Sequence, residues 1–197
     1  MLSVTDNGDL GLMGNEENAR ARMQRSALDL FNEHGFERTT TAQIAARAGV
    51  TERTYFRHFA DKREVLFDGQ EILREALTAA ITDAPATLGP FDAMFHAFHS
   101  VVPTLEANRS FAEPRQKVIA ATPALQEREM AKLAALADAL ADSLQSRGVA
   151  DPKATLAART GMTAFAHAAT AWLGDATVSL GERLELDHSI LKEMISD

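Results

Sequence analysis

An all-α fold is predicted by three observations. The chain is rich in alanine and leucine with only six prolines among 197 residues. It has few β-branched runs. Its apolar residues recur at i, i+3, i+4 and i+7 between sharp start and stop residues. Hydrophobic residues make up 46% of the sequence, enough for a sizeable core. Cysteine is absent, which removes disulfide and thiolate chemistry. No apolar run approaches the roughly 20 residues of a membrane span, so no membrane partner is expected and the composition fits a cytoplasmic protein.

The first fourteen residues, MLSVTDNGDLGLMG, hold three glycines and no periodicity, and they read as a disordered tail without the basic start and apolar stretch of a secretory leader. Asn15 opens the first helix, with Glu16 and Glu17 in its first turn, where acidic groups suit the helix dipole. Its apolar stripe is Ala19, Met23, Ala27, Leu30 and Phe31; it stops at His34-Gly35, and Phe36 tucks beneath. Two short helices follow in TTAQIAARAGVTERTYFRHFADKRE (40–64). The first starts at Thr40, with Gln43 three residues on to complete a capping box, and Gly49 follows where a left-handed residue is wanted. The second starts at Thr51 and turns Tyr55 and Phe59 inward.

Asp61 and Glu64 form another capping box that starts a long helix through Val65, Leu66, Ile72, Leu73, Leu77 and Ile81. The stretch DAPATLGP (83–90) interrupts it. A fifth helix shows a strong apolar face of Phe91, Met94, Phe95, Phe98, Val101, Val102 and Leu105. Ser110 starts a shorter one through Val118 and Ile119. Thr122-Pro123 opens a seventh that carries Leu125, Leu133, Leu136, Leu140 and Leu144 and stops at Gly148. Asp151-Pro152 repeats that start for an alanine-rich helix ending at Gly174. The ninth covers about Leu180 to Ile195.

Charge is unevenly shared along the chain. The net charge is −8, yet residues 18–63 hold nine basic and five acidic residues, a +4 segment beside a −12 remainder. Two short helices joined by a glycine corner bury little, but they can present the outer face of the second as a rigid reading head. A positive module with that shape points to double-stranded DNA. There is no P-loop, HExxH, dinucleotide turn or GxSxG motif, so catalysis is not expected.

The segment GFERTTTAQIAARAGVTERTYFRHFADKREVLF (35–67) resembles the N-terminal signature of TetR-type transcriptional repressors. The shared features are the Gly-aromatic before a Thr pair, the Ile-Ala of the second helix, the Gly-Val turn, Thr-aromatic-aromatic-x-His-Phe, and the following lysine. Arg115 through VIAATPALQEREMAKLAALADALADSL also resembles the ligand domain of actinobacterial mycofactocin-type regulators. The resemblance implies a DNA-binding domain over 15–60 and a six-helix ligand-binding and dimerisation domain over 61–197. It implies a homodimer through the last two helices, a palindromic operator, and release by a small-molecule effector. Thr40, Thr51 and Lys62 match backbone-contacting positions. Thr54 and His58 match the DNA-facing side of the third helix, and Glu52 and Arg53 match the positions nearest the base edges; Arg57 completes the expected DNA-binding set. Phe56 departs from the pattern, standing where many members carry a tyrosine whose hydroxyl touches phosphate.

Several residues admit two readings. Arg53 suits guanine O6 and N7, whereas Glu52 either accepts from cytosine N4 or serves as a first-turn charge. Arg115 either meets an anionic ligand group or pairs with Glu113 or Glu127. His96 and His99 stand three apart, but no carboxylate completes a metal site on that helix, so neither a metal nor a cofactor is expected; His99 suits the polar edge of a ligand cavity. The alanine run from Ala157 to Ala171 fits a subunit interface or a tightly packed interior, and Trp172 an interface anchor or core. Phe95, Phe98, His99, Val102, Arg115, Ile119, Met130 and Phe165 are the expected ligand set, suited to an elongated apolar molecule with a polar end, as the sub-family's acyl thioesters imply. The rival readings are a small all-helical enzyme, with His96, His99 and Arg115 in a reactive pocket, and a ligand-independent DNA-binding protein with a fully packed body.

Overall fold

The computed structural model describes residues 9–196, with side chains from Ala19 to Met194. Residues 1–8 of the expected tail lie outside the described residues. Among the described residues there are nine α-helices and one 3-10 turn, with no strand. The helices are α1 Asp9–His34, α2 Thr41–Arg47, α3 Glu52–His58, α4 Gln70–Asp83, α5 Pro90–Ala107, α6 Arg109–Ala120, α7 Pro123–Ser146, α8 Asp151–Gly174 and α9 Leu180–Ser196. Helix α1 begins six residues before Asn15.

One element differs in kind from the sequence expectation. The long fourth helix does not run on from Asp61. Asp61 does cap, its Oδ1 accepting from the N–H groups of Arg63 (2.7 Å) and Glu64 (3.2 Å), but what it caps is the 3-10 turn Glu64–Leu66. Val65, Leu66 and Phe67 are all buried. Three successive residues of an α-helix fan out over about 200°, so a regular helix cannot turn all three to one core. A tighter turn does so, and Gly69 at φ +89° then resets the direction before α4 begins.

The chain separates into two compact units. The first comprises the residues up to Asp68 together with Pro114–Leu125; the second comprises Gly69–Glu113 and Gln126–Asp197. In the first, Met23, Phe31, Ile44, Tyr55, Phe59 and Leu66 are buried, as are Ile119 and Leu125 of the returning segment. In the second, Phe95 stands edge-on to Phe98 at 5.7 Å, and Phe98 packs against Phe165 of α8 at 4.9 Å. Ala154, Ala157, Ala158, Ala164 and Ala168 of α8 are buried within the chain, so the tightly packed interior accounts for most of the alanine run, and Trp172 is core.

Cations close two helix ends in the second unit. Arg147 donates to the carbonyls of Ile81 (2.9 Å), Ala84 (2.6 Å) and Pro85 (2.9 Å) at the end of α4. Arg109 donates to the carbonyls of Trp172 and Leu173, both at 2.9 Å, and lies over the indole ring. Positive charge at a helix C-terminus satisfies its open carbonyls and complements the dipole.

Candidate nucleic-acid interface

The reading head is built from local rules. Thr40 caps α2 in a reciprocal box: its Oγ1 accepts from the Gln43 N–H at 3.2 Å, and the Gln43 Oε1 accepts from the Thr40 N–H at 2.8 Å. Ala48 closes α2, and Gly49 at φ +69° makes the corner. Thr51 caps α3, accepting from the Thr54 N–H at 3.1 Å, and its hydroxyl also meets that of Thr54 at 3.0 Å. The two helices are cross-linked where Thr41 donates to the Glu52 carboxylate at 2.5 Å. Glu52 is therefore in the first turn of α3 with a neighbouring hydroxyl as its partner.

Polar brackets fix the corners. Arg22 of α1 donates to the Ala48 carbonyl at 3.0 Å, holding the end of α2. Thr39 is buried and donates to the carbonyls of Gly35 (3.0 Å) and Leu30 (3.3 Å). Lys62 reaches back to donate to the carbonyls of Phe36 (2.7 Å) and Thr39 (2.9 Å), with its ammonium 4.1 Å from the Phe36 ring centre. Burial lowers the Lys62 pKa, though a charged group facing two carbonyls and a ring remains well placed as a cation. Arg47 grips Glu33 with two hydrogen bonds of 2.7 and 2.8 Å, and that contact holds the Glu33 carboxyl below its ordinary range.

This scaffold sorts the side chains of α3. Tyr55 is fully buried, its hydroxyl within 3.4 Å of the carbonyls of Asp61 and Lys62, and burial pushes its pKa well above the usual phenol value. Phe59 packs on it at 5.2 Å. On the opposite side, Arg53, Thr54, Phe56 and Arg57 line one shallow concavity. Arg53, Phe56 and Arg57 follow i, i+3, i+4 spacing, so they share a face. Thr40, Thr51, Glu52, Arg53 and Arg57 are exposed, Thr54 and His58 half-buried. The head thus gathers the expected DNA-contacting residues on α2 and α3, with Lys62 set behind them.

The expected ligand residues are less gathered. Phe95, Phe98 and Phe165 meet in the second unit. His99 lies there too, its Nε2 3.3 Å from the Glu185 carboxylate of α9, and Val102 lies close to Gly181. Met130 is 68% exposed. Arg115 and Ile119 belong to the first unit. There the Arg115 Nε donates to the Leu66 carbonyl at 2.6 Å, and its guanidinium lies 5.1 Å from the centre of the Phe67 ring. The sequence offered no pointer to that contact, because a backbone carbonyl has no residue identity. His96 is exposed. Among the described residues no group of three His, Cys, Asp or Glu side chains converges as a metal ion would require, and no helix is long and apolar enough to cross a membrane.

Comparison with known proteins adds to this geometry. Residues 25–68 match the model of the bacterial regulatory proteins of the tetR family, and residues 88–195 match that of the MftR C-terminal domain. Over 83 residues the chain is 43% identical to the HTH-type transcriptional regulator TcmR of Streptomyces glaucescens, across 42% of this chain and only 37% of that relative. It is 27% identical over 161 residues to MftR of Mycobacterium tuberculosis, named for the regulation of mycofactocin biosynthesis, across 80% of this chain and 81% of that one. The crystal structure of Thermus thermophilus FadR, a TetR family repressor in complex with lauroyl-CoA, superposes with a TM-score of 0.55 at 25% identity, covering 88% of this chain and 93% of FadR.

Proposed function

Since the chain belongs to the tetR family of bacterial regulatory proteins and carries an MftR-type C-terminal domain, we propose that it is a cytoplasmic repressor that grips a palindromic operator as a homodimer and releases it on binding a small, largely apolar effector. The observation that carries this reading is the sorting of α3: Tyr55 and Phe59 anchor one side while Arg53, Phe56 and Arg57 occupy the other, with cations ready for phosphate and base edges. DNA binding falls to 15–60 together with Lys62, and effector binding and dimerisation to the remainder of 61–197.

Within the head the roles follow from chemistry. Thr40 and Thr51 stand at helix starts and fix register on the phosphate backbone without reading sequence, assisted by Thr54, His58 and the charges of Arg57 and Lys62. Arg53 reads guanine through two hydrogen bonds, a contact worth roughly 1–3 kcal/mol of discrimination. Glu52, tied to Thr41, acts as a first-turn charge. On α9, Leu186, Ile190 and Met194 are exposed at i, i+4, i+8, a continuous apolar stripe suited to a second copy of the chain, and exposed Leu156 extends the apolar surface of α8. Two heads then meet successive major grooves roughly 34 Å apart.

The effector reading rests on the aromatic cluster Phe95, Phe98 and Phe165, with His99 as a polar edge. Lauroyl-CoA bound to FadR supports an acyl thioester as the effector class. The test is a binding-site selection on random duplexes with the full chain. Wild type is expected to enrich one palindrome, and Arg53→Ala to lose preference at one guanine in each half-site. An unchanged preferred site in the variant would remove Arg53 from base reading, and enrichment of no duplex would remove the operator.

A further inference from the structure

An exposed phenyl ring sits in the middle of the cationic face. Phe56 is 52% exposed, whereas its neighbours Tyr55 and Phe59 are buried. Scattered exposed apolar residues are normal on protein surfaces. This one is different in its setting and its rigidity. It stands edge-on to Tyr55, with centroids 5.6 Å apart and planes at 85°, and Tyr55 is itself held by the carbonyls beyond α3. Arg53 and Arg57 flank it on the same helical face, and the three line one concavity with Thr54.

Resting on the operator reading above, we propose that Phe56 determines specificity by packing its ring against the 5-methyl group of one thymine in each half-site, beside the base read by Arg53. A phenyl ring has no hydroxyl and no N–H, so it makes no hydrogen bond to phosphate or to a base edge. The two arginines draw that face onto a duplex, and the ring goes with them. In the major groove the four base pairs display hydrogen-bond donors and acceptors, and the one apolar group among them is the thymine methyl. A ring delivered there without a methyl opposite it would cover polar base edges and leave them unpaired. The side chain that lacks the family's tyrosine hydroxyl thus trades a register contact for a base contact.

Deoxyuridine, which differs from thymidine only by that methyl, is the direct probe. The full chain is titrated by fluorescence anisotropy against its selected operator, with each symmetry-related thymine pair replaced in turn by deoxyuridine. One pair is expected to be sensitive, losing affinity by about three- to fivefold per methyl removed. Phe56→Ala is expected to bind the thymine and deoxyuridine duplexes equally and to lose the thymine from its own selected site, while Phe56→Tyr, which keeps the ring, stays sensitive. The assignment is overturned if no thymine pair is sensitive in the wild type, or if the same pair stays sensitive in Phe56→Ala. Either result leaves operator binding standing. A chain that selects no duplex at all overturns operator binding and the thymine contact with it.

Discussion

The head and the body solve the same stability problem by different means. In the head, α2 and α3 have seven residues each and bury little on their own. Their geometry is held by side chains that end on backbone atoms: Arg22 on Ala48, Lys62 on Phe36 and Thr39, and two threonine caps, while Arg115 ends on Leu66 in the 3-10 turn that follows. In the body, helices of 14 to 24 residues interlock through whole side chains, with Phe95, Phe98, Leu140, Met94 and Ile81 fully enclosed. A unit that must hold three or four side chains at fixed spacing benefits from directional bonds. The enclosed aromatic and aliphatic side chains of the body draw their stability from burial, which has no direction. The contrast makes distinct predictions for substitutions in each.

The largest effect is expected in the body. Phe98→Ala removes a fully buried ring from between Phe95 and Phe165, and truncations of that kind cost about 3–5 kcal/mol. Chemical denaturation of the full chain should show that loss, while the operator chosen in a selection stays the same. A loss below about 1 kcal/mol would mean that the body closes over the gap, and that bulk is not what holds it.

Next comes the head. Lys62→Met keeps much of the aliphatic stem but takes the Lys62 donor from the Thr39 carbonyl and leaves the Phe36 carbonyl only the Thr39 N–H at 3.3 Å, and losing the partner of such an acceptor costs about 1–3 kcal/mol. The ammonium has three protons and two are engaged by those carbonyls, so one remains for a phosphate. If Lys62 also meets the operator, its replacement weakens all duplexes alike and reduces the salt dependence of binding by about one ion. An unchanged salt slope with reduced stability would make it a bracket alone. A sequence-selective loss would contradict the phosphate role.

The same contrast explains what the sequence made legible. Caps are written in residue types at fixed offsets, so Thr40 with Gln43, Gly49 and Thr51 were readable one by one. The inward stripe of α3 followed from spacing, as did the aromatic face of α5. The break at Gly69 was hidden because Leu73, Leu77 and Ile81 continue the apolar period set by Val65 and Leu66, and periodicity does not register a 3-10 turn between them. Arg115 and Lys62 were recognisable as cations in useful places, but their acceptors are peptide carbonyls that any residue supplies. His99 finds its carboxylate on α9, a partner that depends on the tertiary fold. Local chemistry could be read, whereas partners distant along the chain could not.

The smallest effect concerns pH and tests whether the body tolerates charge near its aromatic packing. His188 stacks on Phe95 at 4.1 Å with nearly parallel planes, and its Nε2 lies 3.0 Å from the Asp92 carboxylate. Lys192 contacts the same oxygen at 2.7 Å. Burial lowers the His188 pKa below its ordinary 6.5 and Lys192 adds to that, against the opposing pull of Asp92 and Glu185. Asp92 is itself held below its ordinary 3.8, chiefly by the Lys192 hydrogen bond. A histidine depressed in the folded state stays neutral while the unfolded chain takes up a proton, so stability falls as pH drops below about 6.5. The depressed carboxyl adds its own loss only at more acid pH, as protonation passes from the unfolded to the folded value. The melting temperature should therefore decline between about pH 7 and 5.5, and His188→Gln should flatten that part of the curve while leaving the more acid loss in place. An equal decline in the variant would shift the acid sensitivity to another group and leave the stacked imidazole a packing element.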